Sequence, residues 1–131
     1  MGDWKTLPGA KYTKSDEWVK LDGGEALIGL TDYAQEQLSD LVFIEFPDVG
    51  EQFEKGDSFG VVESVKAAAD VNMPIGGEIV AINGDLEDSP ETINGDPYVQ
   101  GWIVRIKPSD TAELDGLMDE QAYITYCNER E

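Results

Sequence analysis

The chain has 131 residues, with 9 Lys and Arg against 28 Asp and Glu, a formal net charge of −19 and no histidine. That length suits one domain with a core of its own, and 40% apolar with 28% charged residues is the balance of a globular chain. The acidity excludes binding to phosphate backbones, which needs a basic footprint, and it disfavours anionic membranes. Without histidine there is no Ser-His-Asp or Cys-His nucleophile and no His-held metal. Cys127, the one cysteine, closes no internal disulfide and is expected to be a small apolar core residue. No apolar run approaches the ~20 residues of a membrane helix, and the first 18 residues have neither the h-region of a signal peptide nor the Arg-rich character of a transit peptide. These features predict a soluble, intracellular, non-catalytic protein.

In chain order, Gly and Asx clusters separate short runs of β-branched and aromatic residues. The runs are Trp18–Leu21, Ala26–Leu30, Leu41–Phe46, Phe59–Glu63, Glu78–Ile82 and Gly101–Lys107, a spacing that predicts a small barrel or sandwich. Asp22-Gly23-Gly24 reads as a hairpin turn between the first two. A short helix is expected near 32–39, capped by Thr31 or Asp32, with Gln35 at the capping-box position and Ala34, Leu38 and Leu41 along one face. Beyond residue 108, Ser109 or Asp110 starts one helical segment, and Asp119 another that carries Tyr123, Tyr126 and Cys127 at helical spacing. The fold expected is α+β and mainly β, one domain over residues 1–131. Its core covers about 11–108, followed by a C-terminal helical segment at about 109–130. Asp85, Glu87, Asp88 and Glu91 are read as a solvated loop, since their spacing is not that of an EF-hand. Trp18 and Trp102 fall in expected strands, as core or cleft-wall residues.

Lys66 stands apart in charge. Between Lys55 and Arg105 it is the only basic residue, among nine acidic ones. On propensity, Glu63-Ser64-Val65-Lys66-Ala67-Ala68-Ala69 is a helix. The flanking Val61-Val62 and Asp70-Val71, with Pro74 beyond, read equally well as two strand ends around a tight turn.

The segment from Gly60 through Lys66 to Val71, continuing through Pro74-Ile-Gly-Gly-Glu-Ile-Val-Ala-Ile-Asn83, resembles the lipoyl-lysine segment of the glycine cleavage system H proteins. Tyr12–Val19, Gly29–Gln35, Leu41–Pro47, Asn94–Tyr98 and Gly101-Trp102 resemble further motifs of that family in the same order, so the likeness runs from about Lys11 to Cys127. Biotinyl carriers usually place Met on both sides of the lysine, where this chain has Val65 and Ala67. The lipoyl domains of 2-oxo-acid dehydrogenase acyltransferases usually carry Asp-Lys-Ala and lack the terminal extensions.

The resemblance implies a lipoyl/biotinyl-type barrel-sandwich hybrid of short strands, with Lys66 at a hairpin tip and lipoate attached to it as lipoyl-lysine. Eleven bonds from Cα to the dithiolane ring give an arm of roughly 14 Å. The implied role is that of a carrier, not an enzyme. A pyridoxal-phosphate glycine decarboxylase loads the arm with an aminomethyl group, a tetrahydrofolate-dependent aminomethyltransferase unloads it, and dihydrolipoamide dehydrogenase reoxidises the dithiol. A lipoate-attaching enzyme is the fourth partner, with Glu63 as its acidic marker. By the same resemblance Ser15, Glu17 and Asp70 hold the loaded arm in a surface cleft. The chain departs from the family at Asp16, Tyr33 and Gln37, where histidine is common, leaving none for a pH-sensitive step in arm release. A monomer is expected, in the cytoplasm or, for a mature eukaryotic form, the mitochondrial matrix. A lipoate relay that donates lipoyl groups to other complexes is the alternative function, and a biotin carrier a third.

Overall fold

Gly23 and Gly24 close a two-residue hairpin between β2 (Glu17–Asp22) and β3 (Glu25–Leu30), with Asp22 opposite Glu25. Only a two-residue turn fits that register, and Gly23 takes a φ of +67° that favours glycine. In this computed structural model, which describes residues 4–130, the hairpin supplies the second and third strands of a six-stranded antiparallel sheet in the order β1-β2-β3-β9-β8-β5. Its other members are β1 (Lys11–Tyr12), β5 (Gln52–Phe53), β8 (Gly77–Ile82) and β9 (Val104–Pro108). A second sheet runs β4 (Leu41–Glu45), β6 (Ser58–Ser64) and β7 (Ala68–Asn72), with β6 in the middle. The mainly β, α+β architecture expected from the sequence is present. The two sheets are separate hydrogen-bonded units and do not close into one barrel.

Side chains from both sheets meet in one core. Val19, Ile28, Ile79 and Ile106 from the first sheet pack in a cluster with Ile44, Val62 and Val71 from the second. A second cluster is aromatic and joins the C-terminal helix to the first sheet through Tyr12, Trp18, Tyr33, Tyr98, Tyr123 and Cys127. Tyr12 and Tyr123 stack at 4.8 Å and 13°, and the Trp18 indole donates to the Pro97 carbonyl at 3.1 Å. Cys127 is fully buried there.

Helix α1 (Asp32–Leu38) is capped by Thr31, whose hydroxyl accepts from the Ala34 N–H. Leu41 lies outside this helix and opens β4, because Ser39 leaves the helical region at a φ of +67°. Two four-residue helices stand where the sequence predicts loop, α2 (Asp85–Asp88) and α3 (Thr92–Gly95), and bury Leu86 and Ile93. Their single turns are too short for an apolar period to register. Residues 101–103 are not strand, so Trp102 precedes β9, and it is only partly buried. At the C-terminus Asp110 caps a 3₁₀ turn, Thr111–Gly116, and Asp119 accepts from the Ala122 N–H at the start of α4 (Glu120–Arg130).

Candidate functional site

Lys66 sits at the end of the β6–β7 hairpin, exposed, between Glu63 and Ala68, which pair across the strands. The turn is built by Ser64. Its hydroxyl oxygen accepts from the Lys66 N–H at 3.2 Å and the Ala67 N–H at 3.0 Å, and it donates to the Ala67 carbonyl at 3.1 Å. The Ser64 N–H closes the same loop on the Ala67 carbonyl at 2.7 Å. A serine bonding backbone two and three residues ahead is a turn device that competes with helix. Val62 and Val71 then decide between the two forms of this segment, because both are buried in the core only when the flanks run as paired strands. The Val65 N–H donates to the Asp40 carbonyl at 3.0 Å, which ties the tip to the start of β4. Lysine, glutamate and both alanines around the turn are exposed.

Ser15, in the β1–β2 loop, and Glu17, the first residue of β2, come together at a second place. The Ser15 and Thr13 hydroxyls each donate to Glu17 Oε1 at 2.6 Å, and the Asn72 N–H donates to Oε2 at 3.1 Å. Glu17 is 1% exposed. Burial pushes its carboxyl above the ordinary range, against the hydroxyl and N–H donors that favour the anion. It forms the floor of an open cleft of about 330 Å³, with Ser15 exposed in front of it and Met73, Leu117 and Met118 supplying apolar wall. Lys14 and Lys55 also line this cleft.

Asp70 is not part of that grouping. It is exposed on β7 opposite Val61, two residues before Asn72, and does not line the cleft. At ~3.3 Å per strand residue it stands ~7 Å nearer the hairpin tip. Glu63 also faces outward, paired with Phe43 and Ala68.

Asp16 and Tyr33, two of the positions at which the chain departs from the family resemblance, meet on one guanidinium at this loop. Asp16, at a φ of +75°, takes both guanidinium nitrogens of Arg130 at 2.7 and 3.1 Å and the Tyr123 hydroxyl at 2.8 Å. The same guanidinium lies 4.0 Å from the Tyr33 and Tyr126 ring centres. The loop that carries Ser15 and leads into Glu17 is therefore bolted to the last turn of α4. Sequence reasoning missed Arg130, since nothing in its neighbourhood signals a partner 114 residues away. It also missed Ser64 and Thr13, although serine directly before an expected turn was a usable signal.

The family model of the glycine cleavage H-protein matches residues 10–130. The chain belongs to that family. Among its relatives, the mitochondrial glycine cleavage system H protein 2 of Arabidopsis thaliana is 47% identical over 125 residues, covering 95% of this chain and 80% of that one. The glycine cleavage system H protein of Anaeromyxobacter sp. (strain K) is 48% identical over 121 residues, covering 92% and 94%. The crystal structure of a glycine cleavage system H protein from Mycobacterium marinum superposes with a TM-score of 0.82 at 35% identity, over 95% of this chain and 98% of that one. Plant mitochondrial and bacterial H proteins thus flank it in sequence. No helix among the described residues is long and apolar enough to cross a membrane.

Proposed function

We propose that the chain is the lipoyl-bearing carrier of the glycine cleavage system, non-catalytic in itself, with lipoate amide-linked to Lys66. The observation that carries this reading is the single exposed lysine on a braced hairpin tip, within a chain matched by the H-protein family from residue 10 to 130. When bound, the lipoyl group supplies a dithiol/disulfide couple that carries the aminomethyl group of glycine and, afterwards, its electrons.

The residues between tip and cleft suit such a group. Measured along β7 from Ala68, the first strand residue after the tip, Asp70 is ~7 Å and Asn72 ~13 Å away, so an arm of roughly 14 Å has the reach to pass Asp70 and approach the cleft mouth. The methionine and leucine wall suits an apolar ring with sulfurs. Ser15 gives its proton to Glu17, which leaves oxygen lone pairs to accept from a cationic amine. Glu17 makes no ion pair among the described residues, and an arriving amine cation favours its anionic form. Ser15 and Glu17 then hold the amine in relay, and Asp70 guides the arm on its way. Ser64 keeps the tip rigid, and Glu63 marks it for the lipoate-attaching enzyme.

The partners on this reading are a pyridoxal-phosphate glycine decarboxylase, a tetrahydrofolate-dependent aminomethyltransferase and dihydrolipoamide dehydrogenase. The chain acts as a monomer in the cytoplasm, or in the mitochondrial matrix in a mature eukaryotic form. Glycine–bicarbonate exchange with the partner decarboxylase tests the proposal. Lipoylated chain should support exchange. A chain that is lipoylated and passes its lipoyl group to other proteins, yet supports no exchange, is a lipoate relay instead.

A further inference from the structure

Three large apolar side chains are left in solvent beside Lys66. Val42 is 55% exposed, Phe43 49% and Val65 67%. The first two are turned outward together by a bulge in β4, where the pairing jumps from Leu41–Ser64 to Phe43–Glu63 and leaves Val42 as the extra residue. Without that bulge, alternation would place one of two neighbouring residues inside. Here Leu41 and Ile44 are buried on either side of an exposed pair. Val65 is brought to the same end of the sheet by its N–H bond to the Asp40 carbonyl. Solvent-facing apolar clusters of this kind mark interaction sites, and this one lies at the modified end of the molecule.

The rim is acidic. Asp40, Glu45 and Glu63 are exposed around the cluster, and the segments 41–45 and 58–72 contain no basic residue except Lys66. A complementary surface is therefore apolar in its middle and edged with lysine or arginine. Reach then selects which partner it belongs to. The five bonds from Cα to Nζ extend a bare lysine only roughly 6 Å, against roughly 14 Å for the lipoylated arm. Enzymes that act on the far end of the arm have room to stand off. The enzyme that forms the amide has to seat its active-site mouth on the tip and cover the side chains next to it.

We infer that Val42, Phe43 and Val65 form the docking surface for the enzyme that acylates Lys66, an inference that rests on the lipoyl-carrier reading above. In that step the neutral Nζ attacks the carbonyl carbon of lipoate activated as its acyl-adenylate. The amide bond forms, the carbonyl–phosphate C–O bond breaks, adenylate leaves with the electron pair, and the amine proton passes to solvent.

The test uses full-length, unmodified chain with a purified lipoate-attaching enzyme, ATP and lipoate, following the mass shift of the intact protein. The variants are V42S/F43S, V65S, and V99S as a control, Val99 being 69% exposed outside this sheet. Thermal melting shows that each is folded. V42S/F43S and V65S should each lower kcat/KM for acylation by about tenfold, chiefly through KM, and V99S should match wild type. Folded V42S/F43S and V65S proteins acylated at the wild-type rate would overturn the docking surface while leaving the carrier reading intact. Wild-type chain that no such enzyme acylates would overturn both. If acylation is unchanged and only glycine–bicarbonate exchange by fully lipoylated V42S/F43S falls, the surface belongs to the decarboxylase, and the assignment to the acylating enzyme is wrong.

Discussion

Replacing Glu17 by glutamine and by alanine separates its charge from its hydrogen bonds. The carboxylate receives three donors, two hydroxyls at 2.6 Å and one backbone N–H at 3.1 Å, while 1% exposed. Glutamine keeps all three contacts if its amide oxygen takes the Asn72 N–H and its NH2 group faces Ser15 and Thr13, whose hydroxyls then rotate to accept. It gives up charge-assisted bonds, but it also removes the desolvation that raises the carboxyl pKa, and a net change within about 1 kcal/mol is expected. Alanine strands the Asn72 N–H and opens a void, for a loss of about 2–4 kcal/mol. The sign with pH follows from the raised pKa. In the folded state the proton is held more tightly than in the unfolded chain, so the stabilisation is complete below the unfolded value of 4.5 and is lost as pH rises through the folded pKa. Urea unfolding of wild type and E17Q from pH 4 to pH 8, read by tryptophan fluorescence, should show wild type losing ground to E17Q as pH rises. Equal damage in E17Q and E17A, or a wild-type-to-E17Q difference that does not move with pH, would refute this account of the site.

Lys66→Arg should melt within ~0.5 kcal/mol of wild type, since the side chain is exposed, yet abolish modification and carrier activity, because guanidinium is no nucleophile at neutral pH. Ser15→Ala and Glu17→Gln should each shorten the life of the isolated aminomethylated protein, followed by mass spectrometry without partner enzymes. Decay unchanged in both would remove the holding role from these residues. Gly29→Ala would place a methyl 2.7 Å from Trp18 Nε1 and 2.9 Å from two ring carbons of the buried indole, and should cost about 1–3 kcal/mol in urea unfolding. Arg130→Gln removes the twin bonds to Asp16 at a cost of about 1 kcal/mol, the pair being partly exposed. Amide shifts in the NMR spectrum should spread from Asp16 to Ser15 and Glu17, whereas shifts confined to α4 would show that the pair does not position the loop.

Much of the architecture was legible because the runs between glycines carry β-branched residues that alternate or fill the core. Around Lys66, Val61-Val62 and Val71 argued for strand ends no more strongly than the rest of the segment argued for helix. The alanines after Lys66 argued for helix, and only core burial of Val62 and Val71 settles the contest. Of the cleft, Ser15 and Glu17 came from the family resemblance, and they lie two residues apart where the β1–β2 loop enters β2. Thr13 and the Asn72 N–H reach Glu17 through pairing that no local pattern encodes, and Arg130 closes on Asp16 through α4 packing on the aromatic cluster. The outward pair Val42 and Phe43 lies inside the apolar run Leu41–Phe46, which by itself marks only a strand. The bulge that exposes them is a matter of register with β6, which composition does not carry.

The central claim is that Lys66 bears the lipoyl group. Peptide mapping by mass spectrometry of the protein purified from its native host tests it most directly. Lipoyl is expected on the peptide containing Lys66 and on no other lysine. An unmodified Lys66, a biotinyl group there, or lipoyl on Lys55 or Lys107 would contradict it.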